Sequence, residues 1–215
     1  MKNEVIHGDC LIEMQKIPDK SIDCIITDPP FGIGFKYTAG TDVANSAEAY
    51  WKWFEPIFKE MLRITKDGGF IAIWQTQLYF QNFWKWYGDD IHVYAACKNF
   101  VQLRKTSINY AYDPVVMFYK KGDTLRPLKP KRNTDFFVSN TAALVSKPDR
   151  LERKHPCPRP VDVVEQIIDN FSTGIVLDPF AGSGTTGIAC LNLNRQFILI
   201  EKEQEYIDII NERLK

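Results

Sequence analysis

Two short stretches hold the residue types that chemistry needs. Asp28-Pro29-Pro30-Phe31 sets a carboxylate, two prolines and an aromatic ring in consecutive positions, and Asp178-Pro-Phe-Ala-Gly-Ser-Gly-Thr-Thr186 sets an acid before a glycine-rich turn. Two prolines fix φ and remove two amide donors, so the Asp28 carboxylate and the Pro29 carbonyl hold one orientation. Those two acceptors suit the exocyclic amino group of a flat base. Accepting both of its N–H groups localises the nitrogen lone pair and aims it at an electrophile, which is positioning and electrostatic preorganisation rather than covalent catalysis. Phe31 offers a face on which a base can stack, worth ~1–3 kcal/mol. A base inside a duplex has to be flipped out to reach it. Taken alone, the tetrapeptide reads equally well as a strand terminator capped by an acid.

Gly182-Ser-Gly184-Thr-Thr-Gly187 has the GxGxxG spacing, and Glu201 follows at the end of the next apolar run. Glycines permit a tight turn and close backbone approach, and such an acid holds ribose hydroxyls. A nicotinamide dinucleotide fits poorly: 14 residues follow Glu201, which leaves no room there for a second nucleotide-binding half. It also has no use for an Asp-Pro-Pro-aromatic at another strand end. S-adenosyl-L-methionine has no phosphate, so its loop need not be an anion nest and only has to approach the methionine and ribose moieties. A methyl transfer from that cofactor to a nucleobase amine is the reaction these residues suit.

Each motif follows an apolar run that reads as a buried strand. Strands are expected at Glu4–His7, Ile22–Thr27, Phe70–Trp74, His92–Ala96, Val115–Tyr119, Gly174–Leu177 and Gln196–Ile200. Helices are expected at Cys10–Lys16, Ala47–Ile64, Gln77–Tyr87, Val161–Phe171, Thr185–Leu193 and Gln204–Lys215. Their alternation predicts an α/β fold, doubly wound, with a mainly parallel seven-stranded sheet in one domain spanning 1–215. Pro56 should kink or interrupt its helix, and Lys66-Asp-Gly-Gly69 reads as a stop and turn before a strand. Two segments lack periodicity. Gly32–Ser46 directly follows the first motif, and Gly122–Lys154 reads as a short target-recognition insertion.

Composition narrows the class further. The sequence has 215 residues, 45% hydrophobic and 25% charged, as in soluble globular domains, and no run is apolar enough to span a bilayer. The first residues show no signal-peptide core. Five scattered cysteines without CxxC spacing argue against a disulfide framework or a zinc site and for the reducing cytoplasm. Net charge is zero, yet Lys120–Arg159 holds eleven Lys or Arg against four Asp or Glu, a net of +7 balanced by −7 elsewhere. Such a basic block is the footprint of a nucleic-acid contact surface, although a solvated insertion has the same composition.

Asp28–Phe31, Asp178–Thr186 and His155-Pro-Cys-Pro-Arg-Pro160 together resemble the three signature motifs of the amino-group (adenine N6 / cytosine N4) DNA methyltransferases. Their order resembles the permuted β group, with the catalytic motif first, the recognition insertion next and the cofactor motif last. The resemblance implies that Asp28, Pro29, Pro30 and Phe31 grip the target base. It implies a cofactor site made from Asp9, Cys10, Asp28, His155, Pro156, Asp178, Phe180, Gly182, Ser183, Gly184, Thr185 and Glu201. DNA is the implied partner, with Lys36, Arg126, Lys129, Lys131 and Arg132 as expected backbone contacts. A homodimer and a cognate restriction endonuclease are further partners the family admits. The chain departs from the family in two places. Phe31 stands where Tyr is more common, and Cys157-Pro158-Arg159-Pro160 replaces the usual Thr-Gln-Lys-Pro.

Adenine ranks ahead of cytosine because relatives acting on cytosine more often carry Ser at the position of Asp28. An RNA base is a third candidate substrate, and a cofactor-binding module without turnover is the alternative outside the enzymes. Pro156-Cys157 imitates the nucleophile of ring-carbon cytosine methyltransferases but follows a basic loop rather than the catalytic strand. The helical spacing of Trp51, Trp53, Phe54 and Phe58, and of Phe80, Phe83, Trp84 and Trp86, favours core packing over a stacking platform.

Overall fold

The computed structural model of the chain describes residues 3–32, 36–37, 40–41, 46–87, 91–102, 110–120, 134–139, 159–172 and 174–215. Their elements run β1 (Glu4–His7), α1 (Cys10–Met14), β2 (Ile22–Thr27), β3 (Lys36–Tyr37), β4 (Gly40–Thr41), α2 (Ala47–Ile64), β5 (Thr65–Trp74) and α3 (Phe80–Tyr87), the last entered through a 3₁₀ turn at Gln77–Tyr79. They continue as β6 (His92–Gln102), β7 (Tyr110–Tyr119), β8 (Phe136–Val138), α4 (Val161–Phe171), β9 (Val176–Asp178), α5 (Thr185–Asn192), β10 (Phe197–Glu201) and α6 (Gln204–Arg213). Among the described residues no helix is long and apolar enough to cross a membrane.

Every residue of β2 is buried, as a central strand covered on both faces requires. The main sheet has the order β1-β10-β9-β2-β5-β7-β6-β8, and β3 pairs with β4 as a separate ribbon. The first five strands are mutually parallel, β7 is antiparallel to both β5 and β6, and β8 is parallel to β6. Side chains alternating along β2 divide the core. Ile25 joins α1, α2 and α3 residues such as Met14, Phe54 and Phe83, while Cys24 and Ile26 join α4, α5 and α6 residues such as Ile167, Ala189 and Ile210. The sheet is therefore doubly wound, as its alternating pattern predicts.

The eighth strand, β8, was not expected. It lies inside the 122–154 insertion, and three residues, with Phe136 and Val138 facing outward, give no apolar run that marks a strand. Pro56 does not break α2, which runs through it. Pro56 is exposed, and so is Lys52, whose carbonyl loses its amide partner and is left to water. Buried Tyr50, Phe54, Ile57, Phe58, Met61 and Ile64 supply the tertiary packing that sustains the helix. Lys66–Gly69 also lies within an element, β5, but the ladder registers a break there: Ile22 pairs with Thr65 and Cys24 with Phe70. The turn chemistry is real, and it makes an irregularity inside a strand instead of a stop before one. Of the aromatic residues of α2 and α3, Trp51, Phe54, Phe58 and Phe83 are buried in the core, whereas Trp84 is exposed.

Candidate active site

Parallel strands in the order β1-β10-β9-β2 bring four acids to one edge of the sheet: Asp9 after β1, Glu201 ending β10, Asp178 ending β9 and Asp28 just past β2. β9 and β2 are neighbours in register, Cys24 with Val176 and Ile25 with Leu177, so Asp178 and Asp28 emerge side by side. The chain leaves β2 through α2 toward β5 and leaves β9 through α5 toward β10, in opposite directions and over opposite faces. A divergence of that kind opens a crevice at the carboxyl ends of the strands.

Asp178 is the buried member of the pair, 4% exposed. Its Oδ1 accepts from the Thr27 hydroxyl at 2.8 Å and the Phe180 amide at 3.1 Å, and its Oδ2 accepts from the Thr186 hydroxyl at 2.6 Å. Burial pushes the carboxyl up to about 6, the two hydroxyls and the amide pull it down, and the charge of Asp28 adds to the rise. Thr27 immediately precedes Asp28, so its hydrogen bond ties the two strand ends together.

The glycine loop is held from three sides. Gly184 starts α5 at φ 82°, a backbone that costs an L-residue energy, and a Cβ there would stand 3.0 Å from Ile210. The Gly182 amide donates to Glu201 Oε2 at 2.8 Å, while Glu201 Oε1 accepts from the amides of Lys202 and Glu203 at 2.8 and 2.9 Å. Burial raises the Glu201 carboxyl against those bonds. Arg213 of α6 donates to the Ser183 carbonyl at 2.6 Å. Asp9 caps α1, its Oδ1 accepting from the Leu11 amide at 3.0 Å, and burial pushes the Cys10 thiol up to about 12, which disfavours its thiolate.

Asp28 faces an open cavity shared with Thr27, Trp74, Asp178, Phe180 and the loop residues Gly182, Ser183 and Thr185. Arg159 grips its carboxylate with two N–H groups, Nε to Oδ2 at 2.7 Å and Nη2 to Oδ1 at 2.9 Å, and reaches Asp113 Oδ2 with Nη1 at 2.9 Å. The guanidinium also lies over the Phe31 and Trp74 rings, 5.8 and 5.9 Å from their centroids. Behind this, Gly32 takes φ 65° and passes so close to Tyr50 that a Cβ would fall 2.6 Å from the ring; the Tyr79 hydroxyl donates to the Gly32 carbonyl at 3.3 Å.

Of the residues expected in the site, Asp28, Asp178, Phe180, Gly182, Ser183 and Thr185 line the cavity. Gly184 and Glu201 support the loop from behind, and Asp9 and Cys10 stand at the next strand end along the edge. Lys36 lies in the β3–β4 ribbon. His155, Pro156, Arg126, Lys129, Lys131 and Arg132 lie outside the described residues. Sequence reading missed the roles of Thr27, Thr186, Asp113, Arg159 and Arg213. Asp113 did leave a signal, an acid followed by Pro114 in the otherwise apolar stretch before Val115–Tyr119.

A family model described as DNA methylase, of the N6/N4 type, matches residues 22–212. A putative methylase, YubD of Escherichia coli K12, is 29% identical over 212 residues, covering 94% of this chain and 85% of the relative. Among solved structures, the M1.HpyAVI–SAM complex superposes with a TM-score of 0.65 at 25% identity, covering 98% of this chain and 99% of that one. The PvuII cytosine-N4-specific DNA methyltransferase superposes with a TM-score of 0.78 at 19% identity, covering 100% of this chain and 87% of that one. With adjacent acidic strand ends, a glycine loop and a match over nearly its whole length, the chain belongs to the N6/N4 DNA methylase family.

Proposed function

We propose that this DNA methyltransferase methylates the N6 amine of adenine in DNA, using S-adenosyl-L-methionine. The observation that carries the reading is the placement of Asp28 beside Asp178 on adjacent parallel strands, opening on the cavity that the glycine loop lines. The residues present fit the cofactor. A backbone turn at Gly182–Gly184, with both glycines at positive φ, lets a ligand approach the loop closely. When bound, the cofactor supplies an electrophilic methyl carried on sulfur. Phe180, Gly182, Ser183, Gly184 and Thr185 hold its methionine end in this reading. Glu201 holds the ribose through lone pairs that its three amide donors leave available, and Asp9, Cys10, His155 and Pro156 flank the remainder.

The protein's own part is to hold the base. Asp28 accepts one amino N–H and the Pro29 carbonyl accepts the other, so the nitrogen lone pair points into the cavity; Pro30 stiffens the turn and Phe31 stacks on the ring. Asp at position 28, where cytosine-acting members more often carry Ser, favours adenine. The basic residues Lys36, Arg126, Lys129, Lys131 and Arg132 contact the DNA backbone in this proposal, with residues 122–154 as the recognition insertion of a single domain. A DNA substrate and five scattered cysteines without CxxC spacing support a cytoplasmic location. A homodimer and a cognate restriction endonuclease are proposed partners.

Incubation with labelled S-adenosyl-L-methionine and unmodified duplex DNA, followed by nucleoside mass analysis, tests the reading. N6-methyladenine is the expected product. N4-methylcytosine would overturn the adenine assignment, and label found only in RNA would remove DNA as the substrate.

A further inference from the structure

We infer that Asp113 is a positioning residue for methyl transfer, acting on Asp28 through Arg159; the inference rests on the base-holding role proposed for Asp28. Asp113 belongs to β7, two strands away from β2 in the sheet, and antiparallel to β5. β7 therefore enters the sheet at the edge where β2 and β5 end, which brings Asp113 to the same rim as Asp28. One planar guanidinium joins the two acids. It spends two N–H groups on Asp28 and a third on Asp113, in a pocket where the Arg159 side chain is 12% exposed against 24% for Asp28 and 26% for Asp113.

The geometry does more than pair charges. Two parallel N–H···O bonds fix the plane of the Asp28 carboxylate, which one ammonium could not do, because lysine is a point charge on a flexible stem. A guanidinium bound to Asp28 alone can still swing with that carboxylate as a unit. The third bond, to Asp113, ties the unit to β7, and the rings of Phe31 and Trp74 limit its tilt. Each Asp28 oxygen keeps a further lone pair with which to accept an amino hydrogen. The described elements thus set the direction of the base-holding lone pairs from the antiparallel half of the sheet, in addition to the prolines of the strand-end turn. A pair serving stability alone would be expected to contribute little, since partly exposed ion pairs are weak.

Single-turnover transfer to unmethylated genomic DNA, with cofactor and DNA saturating, is the test, alongside cofactor affinity by calorimetry and thermal unfolding. Asp113→Asn is expected to slow transfer about tenfold or more, as a misaimed group does, while cofactor affinity stays within about twofold of the wild type. Asp113→Glu is expected to recover part of the rate. Arg159→Lys is also slow, and Asp113→Asn added to it costs less than about twofold more, because both act through one device. Should Asp113→Asn fail to fold, the Glu variant decides alone, by a slowed rate at full cofactor affinity. Wild-type speed in the Asp113 variants, independent effects in the double variant, or a rate loss matched by an equal loss of cofactor affinity would each overturn the inference. A wild type that transfers no methyl to DNA would instead overturn the function on which it rests.

Discussion

Asp28 and Asp178 begin alike and end differently. Each sits at the carboxyl end of a parallel strand, each is followed by proline, and the two strands are neighbours. Proline biases the preceding residue toward extended backbone, which carries each strand on to its acid. Asp178 is turned inward, where two threonine hydroxyls and an amide surround it, and burial lifts its carboxyl to about 6. Asp28 is turned toward the cavity and meets a guanidinium. Neighbouring side chains, and not the Asp-Pro dipeptide, decide which acid becomes a structural anchor and which is presented for chemistry.

The contrast can be broken from either side. The largest effect is expected at the presented acid: Asp28→Ala should slow methyl transfer by about 10³-fold, the scale of losing a preorganised hydrogen-bond partner, with cofactor affinity and unfolding nearly unchanged. A comparable drop in stability would show that Asp28 is an anchor as well. At the anchor, the difference should appear as a pH dependence. The folded pKa of Asp178, about 6, lies above its ordinary 3.8, so the folded state binds this proton more tightly. The stability it contributes is full below pH 3.8, declines as pH rises and is gone above about 6. A shift from 3.8 to about 6 corresponds to roughly 3 kcal/mol. Denaturation of the wild type and Asp178→Asn at pH 4 and 7 should therefore show the variant gaining by up to about that amount at the higher pH. A pH-independent difference would contradict the assignment.

Smaller changes sharpen the same comparison. Thr186→Val removes a donor from a buried carboxylate and should cost about 2 kcal/mol in chemical denaturation, the range for hydrogen bonds to charged groups. A variant as stable as the wild type would remove Thr186 from the account of Asp178. Arg213→Met keeps much of the side-chain length but loses the bond to the Ser183 carbonyl, and should weaken cofactor binding several-fold, about 1 kcal/mol, in calorimetry. Unchanged affinity would mean that the loop holds its shape without α6.

The parallel half of the molecule was legible in the sequence because its information is local. Ile22–Thr27 and the DPPF turn, or Val176–Asp178 and the glycine loop, each lie within a dozen residues, and the apolar runs flag their strands. Strand limits moved by several residues where apolarity was not the cause: β6 and β7 extend beyond His92–Ala96 and Val115–Tyr119 into mixed sequence that includes Lys98, Asn99, Asp113 and Pro114, held by pairing with each other. Contacts between distant segments could not be read. In the sequence Arg159 stands out only as a departure from a lysine motif, since nothing in a linear sequence brings residue 159 to residues 28 and 113. Thr27 and Thr186 looked like ordinary strand-end and helix-start residues until β2 and β9 were neighbours.

The central claim is that Asp28 holds the amino group of an extruded base at the mouth of the glycine-loop cavity. A crystal structure with the demethylated cofactor and duplex DNA tests it most directly. The claim predicts a base out of the stack, its amino nitrogen about 3 Å from the Asp28 carboxylate, on the cofactor side of Phe31. A target base left in the duplex, or one whose amino group meets other residues while Asp28 still holds only Arg159, would contradict it.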